Sequence, residues 1–194
     1  MAIDIKKLLK EVEIVLADKE EYKELLAQTG SYAGDLLDLF QTLSGYPDVK
    51  PHLRSAIFKA MLRLSKSSNV FPKCLLIQNV NTLENRPVTA GGFGEIWKGT
   101  IGESTQAVCL KIVKVFSVSD VESLVREFVC EAIIWKQLEH PNLLPFLGLY
   151  FLDDTRICLI SPWMDNGNLV QYLKKRRNQV DHHLLVRLIL LKDC

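Results

Sequence analysis

Apolar positions repeat at helical spacing from the start of the chain to about residue 66 and then change rhythm. Ile5, Leu8, Leu9, Val12, Val15 and Leu16 form a first stripe. Tyr22, Leu25 and Leu26 continue the pattern until Gly30 stops it. Leu36, Leu37, Phe40 and Leu43 form a third stripe, closed by Gly45-Tyr46-Pro47. Leu53, Ile57, Ala60, Met61 and Leu64 form a fourth, closed by "SKSSN". Four short amphipathic helices in series predict a small all-α bundle over residues 1–75. Residues 76–83 read as a linker, and the loop-like "NTLENRP" runs to Pro87. Beyond Pro87 the period shortens. "GEIWKGTIG" and "QAVCLKIVKVF" are short runs rich in β-branched residues and read as strands. Ser119 and Glu122 make a capping box, with Val118 as staple, for a helix running to about Leu138. His140-Pro141-Asn142 ends it. "LLPFLGLYF" and "RICLISPW" read as two more strands around an Asp153-Asp154 turn. Asn168 to Lys175 and Leu184 to Leu191 read as helices. The fold class is α+β.

The totals narrow the function by exclusion. The 194 residues carry 24 basic and 23 acidic side chains, a net charge of +1. That balance offers no field for nucleic acid or an anionic membrane. The opening "MAIDIKKLLKEVEIVL" is too charged for a signal peptide. No run of about 18 apolar residues is present to span a bilayer. Cys74, Cys109, Cys130, Cys158 and Cys194 are widely spaced and odd in number, which fits a reduced, intracellular, cytoplasmic setting. No His/Cys cluster has metal-ligand spacing. Lys174-Lys175-Arg176-Arg177 reads as a solvated helix end, where cations are favoured.

One segment carries chemistry. "VTAGGFGEIWKG", residues 88–99, clusters Gly91, Gly92 and Gly94 at its turn, with Thr89 where a GxGxxG pattern has its first glycine. A dinucleotide fold opens a helix after such a turn, and a Walker loop ends in GK[ST]. Here a strand follows and GK[ST] is missing. Strand, glycine turn, strand is the arrangement of a protein-kinase glycine-rich loop. That reading demands a lysine on the next strand. Lys111 is there, sharing a strand face with Cys109 and Val113. A lysine on an apolar face needs an anion. Leu124, Phe128, Trp135 and Leu138 fall within about 60° of Glu131 on a wheel at ~100° per residue. The stripe therefore places Glu131 on the predicted core face, where a carboxylate is costly unless paired. Lys111 and Glu131 explain each other as an ion pair.

Residues from about 84 to 176 resemble the N-terminal lobe and hinge of a protein kinase of the tyrosine-kinase-like group. "AGGFGEIWKG", "VCLKIV", "CEAIIWKQLEHPNLLPFLGLY" and "ICLISPWMDNGNLVQYL" carry the resemblance, in order and at workable spacings. It implies a twisted antiparallel sheet crossed by one helix, with ATP beneath the sheet. It implies that Gly91, Gly92 and Gly94 let the loop backbone approach phosphates, with Phe93 at the tip. Lys111 would hold the α- and β-phosphates, and Glu131 would hold Lys111. Val88 and Ile96 would cover adenine, and Cys109 stands where the family usually has alanine. Ser161 matches the gatekeeper, Pro162 offers a hinge carbonyl, and Met164 offers the hinge N–H. Asn168 falls at a frequent ribose contact and is equally well placed as a helix N-cap. Thr89 in place of glycine predicts weakened rather than abolished nucleotide binding.

The same resemblance demands parts that the sequence lacks. The catalytic HRDxxxxN string and the DFG string, which orient the hydroxyl and hold Mg2+, do not occur. His182-His183 is followed by "LLVRL" and does not substitute. The resemblance places the catalytic Asp past Cys194, so residues 84–194 read as a kinase domain with a truncated C-lobe. "HHLLVRLILLKDC" is apolar on every face and predicts a helix meant for burial. Three readings follow. The first is the front part of an ATP-dependent protein Ser/Thr or Tyr kinase. The second is a catalytically dead, nucleotide-binding or protein-interaction regulator, a pseudokinase. The third is a helical segment that self-associates or docks back onto the lobe. The protein substrate or partner is not specified by these residues.

Overall fold

A computed structural model describes residues 4–91, 94–112, 121–153 and 156–175. The chain folds as two compact units. Met1–Leu76 with Val115–Ile133 forms one, and Ile77–Lys114 with Ile134–Cys194 forms the other.

The first unit is helical. α1 (Ile5–Ala17) starts where the Asp4 carboxylate accepts the N–H groups of Lys6 and Lys7. α2 (Lys19–Leu26) starts where Asp18 accepts those of Glu20 and Glu21, both at 2.9 Å. α3 (Gly30–Ser44) begins on the glycine read as a stop. Gly30 has φ +57°, so it both closes the preceding turn and opens the next helix. α4 (Pro51–Ser68) has proline in its first turn and ends on Asn69, which is left-handed at φ 56°. The periodic stripes become the core. Leu37, Phe40, Ile57, Met61 and Leu64 are fully buried, with Leu9, Val12 and Leu25 nearly so. Each such side chain contributes roughly 1.5–3 kcal/mol of burial.

α5 (Val121–Lys136) spans the boundary between the units. The proposed cap and staple, Ser119 and Val118, lie outside the described residues. Its packing face differs from the sequence expectation. Val129, Cys130, Ala132 and Ile133 are buried, whereas Glu131 and Leu138 are exposed and Phe128 and Trp135 half-buried. Glu131 therefore sits on the side opposite the buried face. α5 is apolar on two sides, so periodicity alone could not select the inward one. The smaller residues pack inward.

The second unit is a sheet. Six strands occur among the described residues: β1 (Val80–Thr82), β2 (Thr89–Gly91), β3 (Gly94–Ile101), β4 (Val108–Ile112), β5 (Gly148–Asp153) and β6 (Arg156–Pro162). All pairings are antiparallel, in the order β1-β3-β4-β6-β5, with β2 paired to β3 as a hairpin. β1 lies within the stretch 76–83 that the sequence suggested was a linker. Burial alternates along β4, with Val108, Leu110 and Ile112 inward. They form a core with Val80, Cys158 and Ile160, flanked by Ile77, Trp97, Ile101, Tyr150 and Leu152. α6 (Leu169–Lys175) follows β6. The expected helix at 184–191 lies outside the described residues. Among the described residues, no helix is long and apolar enough to cross a membrane.

Candidate nucleotide-binding site

Strand register gathers the predicted site residues of the sheet unit. Directly paired residues of antiparallel strands point to the same face. Ile96 pairs with Lys111, Lys98 with Cys109, Cys109 with Ser161, and Lys111 with Leu159. Ile96, Cys109, Lys111 and Ser161 thus share the face opposite the Val108/Leu110/Ile112 core. Cys109 and Lys111 are only half-buried, as a face able to receive a ligand requires.

The glycine hairpin closes next to this face. Gly91 pairs with Gly94, Ala90 with Glu95, and Thr89 with Ile96. Gly94 has φ +123°, a region essentially closed to other residues. Gly92 and Phe93 lie outside the described residues. The Val88 N–H donates to the Ile96 carbonyl at 2.8 Å, and the Val88 side chain is half exposed. Thr89 takes an ordinary strand position, as a β-branched residue readily does.

Ser161 is buried beside Cys109. Burial pushes the Cys109 thiol up, while its hydrogen bond with Ser161 and the Lys111 charge pull the other way. The thiol is neutral near pH 7 and acts there as an apolar surface. β6 ends at Pro162, which pairs with Val108. The chain then stays tied to the sheet: the Trp163 N–H donates to the Ala107 carbonyl at 3.0 Å. Met164 is half exposed, and its carbonyl accepts the Gly167 N–H at 3.0 Å.

Asn168 acts as a helix cap. Its Oδ1 accepts the Gln171 N–H at 2.9 Å, and its own N–H donates to Gln171 Oε1 at 3.0 Å. That reciprocal pair is a capping box. Gly167 beside it has φ +75°, and a Cβ there would meet the Gln171 side-chain amide.

One contact had no sequence signal. Lys98 Nζ lies 5.0 Å from the centre of the Trp163 ring, a cation–π distance. The two are far apart in sequence, and neither belongs to a periodic stripe. A second such feature anchors the end of α5 within the sheet unit. Trp135 Nε1 donates to the Leu144 carbonyl at 2.8 Å, and its ring lies 5.3 Å from that of Phe146.

With this geometry in place, comparison with known proteins is informative. Residues 83–191 match the family described as protein tyrosine and serine/threonine kinase. The match takes in more than half of the chain, which therefore belongs to that family. Similar proteins include dual specificity protein kinase zakA of Dictyostelium discoideum, 32% identical over 54% of this chain and 13% of the relative. L-type lectin-domain containing receptor kinase I.7 of Arabidopsis thaliana is 40% identical over 43% of this chain and 12% of the relative. Receptor kinase I.3 of the same lectin-domain group is 36% identical over 44% and 12%. The matched part of the chain thus spans about an eighth of the length of these relatives.

Kinase domains in general use ATP and Mg2+. The donor set here fits the nucleotide: an apolar face of Ile96 and Cys109, one lysine, and a glycine hairpin with a backbone only glycine adopts. The family draws its Mg2+ ligands from the HRDxxxxN and DFG strings, which do not occur among these 194 residues. No step is assigned to the metal.

Proposed function

We propose that residues 84–176 bind ATP as the nucleotide-holding part of a protein kinase that phosphorylates protein Ser/Thr or Tyr. The observation that carries this reading is the strand register, which sets Lys111, Cys109 and Ile96 on one open face beside Gly91 and Gly94. Adenine lies against Val88, Ile96 and Cys109, with Ser161 at the rear. The backbone near Pro162 and Met164 meets its polar edge, and the sugar points toward Asn168. The glycine hairpin, including Gly92 and Phe93, closes over the phosphates, and Lys111 neutralises them. The strength of the lysine contact comes from its place among apolar neighbours, where water screens less.

A second reading, a pseudokinase regulator that binds nucleotide without transferring phosphate, uses the same face of Ile96, Cys109 and Lys111. Its partner is a protein, met in a reducing, cytoplasmic compartment where ATP is abundant. The helices of residues 1–75 offer a surface for self-association or for docking within the chain.

Titration with a fluorescent ATP analogue tests the shared part of both readings. Wild type is expected to bind, and Lys111→Met to bind at least about tenfold more weakly, the worth of one strong charge-assisted contact. Equal binding by the two proteins would remove Lys111 from the site.

A further inference from the structure

Tyr22 of α2 already has a cation at its oxygen. Arg63 of α4 donates from Nη1 to the Tyr22 hydroxyl at 3.3 Å. The same guanidinium lies 5.9 Å from the ring centre, within cation–π range. Ring and hydroxyl are thus met by one planar, permanently charged group, the side chain best suited to receive a phosphate. Lys59 and Lys66 stand on the same stripe of α4, four residues before and three after Arg63, and all three are exposed. α2 is acidic, but its carboxylates are turned aside. At ~100° per residue Glu20 and Glu24 lie about 160° from Tyr22 around the helix axis, and Glu21 about 100°. Asp18, nearer the Tyr22 face, is engaged in accepting the N–H groups of Glu20 and Glu21.

Along the sequence the same carboxylates precede the tyrosine directly, in Asp18-Lys19-Glu20-Glu21-Tyr22. In an extended segment they set negative charge immediately before the hydroxyl, which draws an enzyme with a basic peptide groove. α2 can be extended at low cost. It has 8 residues, fewer than a helix needs to hold itself. Leu25 is its buried residue, and its last turn is tied to α4 by Ser67 Oγ, which donates to the Leu26 carbonyl at 2.9 Å. A segment with so few buried apolar side chains opens locally, well below the free energy of global unfolding.

We propose that Tyr22 is a phosphorylation site, with Arg63 as the group that receives the phosphate. The donor is ATP, and the catalyst is a second protein, a tyrosine kinase with a basic peptide groove. The phenolic O–H bond breaks, and its proton passes to a base of that enzyme. A bond forms between the Tyr22 oxygen and the γ-phosphorus. The bond from that phosphorus to the β–γ bridging oxygen breaks, and ADP leaves. A neutral hydroxyl becomes a group of charge about −2. The bond between Arg63 and a neutral oxygen becomes an ion pair, which fastens α2 to α4 more firmly. The helical unit thereby receives a tyrosine-kinase signal, and the inference does not depend on the nucleotide site.

The test treats the full 194-residue chain with ATP, Mg2+ and an acid-preferring tyrosine kinase that labels a glutamate–tyrosine copolymer in the same tube. Labelled positions are mapped by mass spectrometry. Tyr32 is the internal control: it is freer, at 72% exposure, but Gln28-Thr29-Gly30-Ser31 before it carries no charge. Label is expected at Tyr22 about fivefold or more above Tyr32, the worth of one favourable charge contact. Tyr22→Phe is expected to lose that label. Hydrogen exchange then compares phosphorylated with unphosphorylated protein. The phosphate is expected to slow exchange in α2 peptides roughly three- to tenfold, the range of one partly exposed charged hydrogen bond, and to leave β4 peptides unchanged. In Arg63→Met and Arg63→Gln, which remove the guanidinium from an exposed position, Tyr22 is expected to be labelled and the slowing to vanish. A labelled copolymer with Tyr22 unlabelled, or label that favours Tyr32, overturns the site. Label at Tyr22 with α2 exchange unchanged or faster, or slowed equally in both Arg63 variants, overturns the role of Arg63.

Discussion

Cys158 sits at the centre of the sheet core with no exposure, and burial pushes its thiol up to about 12. The shift has a stability consequence whose sign follows from linkage. A thiol whose folded value is raised stabilises the fold while neutral in both states. That contribution is complete below the ordinary thiol range near 9 and is lost as pH climbs from there toward 12. The urea midpoint is therefore expected to fall between pH 8 and pH 10.5, and to fall less in Cys158→Ala. Equal alkaline slopes for the two proteins would show that the thiolate is tolerated inside. The same burial explains why the five cysteines could be read from sequence as small hydrophobes yet not ranked. Cys74 is exposed and Cys158 is buried, and no feature of spacing distinguishes them. Asn168 gives a second residue-scale lesson. The sequence left ribose contact and helix cap equally open, and the reciprocal bonds with Gln171 show the cap. A capping box depends on residues three apart, so that outcome was legible in "NGNLVQ".

Elements were legible where one period dominates and one face is apolar. α3 and α4 bury the stripes the sequence marked, from Leu37 and Phe40 to Ile57, Met61 and Leu64. β4 was legible in part: the period of two put Cys109 and Lys111 on one face, and the burial of Val108, Leu110 and Ile112 shows that the other face is the core. α5 was not, since Leu124, Phe128 and Trp135 compete with Val129, Ala132 and Ile133 for the inward side. β1 was missed because Val80–Thr82 is three residues long and contains asparagine, too short for any period to appear. Its presence makes Gly99 critical. Gly99 lies in β3 between β1 and β4, and a Cβ there would stand 2.5 Å from the Asn81 carbonyl oxygen and 2.7 Å from Leu110 Cδ1. The first contact is with backbone, which cannot rotate away. Gly99→Ala is expected to destabilise the protein by about 1–3 kcal/mol, the usual cost of overpacking. Urea denaturation followed by tryptophan fluorescence measures it, Trp97 being a near neighbour in β3. A loss below about 0.5 kcal/mol would mean that β1 leaves the sheet at little cost.

For the whole molecule, the question is what 194 residues with two cores can do chemically. The helical unit and the sheet unit each bury their own apolar set, and the family match begins at residue 83. Phosphoryl transfer needs more than a nucleotide cradle. It needs a carboxylate that accepts the substrate hydroxyl proton and ligands that hold Mg2+ across the phosphates. The strings that provide them do not occur between Met1 and Cys194. Positioning and electrostatic stabilisation supply nearly all the catalysis in this reaction class. Binding alone should therefore leave the γ-phosphate in place. This 194-residue chain, given γ-labelled ATP and Mg2+, is expected to label neither itself nor an added general protein substrate, while still binding the fluorescent analogue in a Lys111-dependent way. The Lys111→Met control gives the assay its meaning. Label that appears with wild type and vanishes with the variant would show that these residues complete a catalytic site by groups outside the family strings. Label equal in both proteins would come from a contaminating kinase. Binding without label would show that these 194 residues hold the nucleotide without transferring its phosphate.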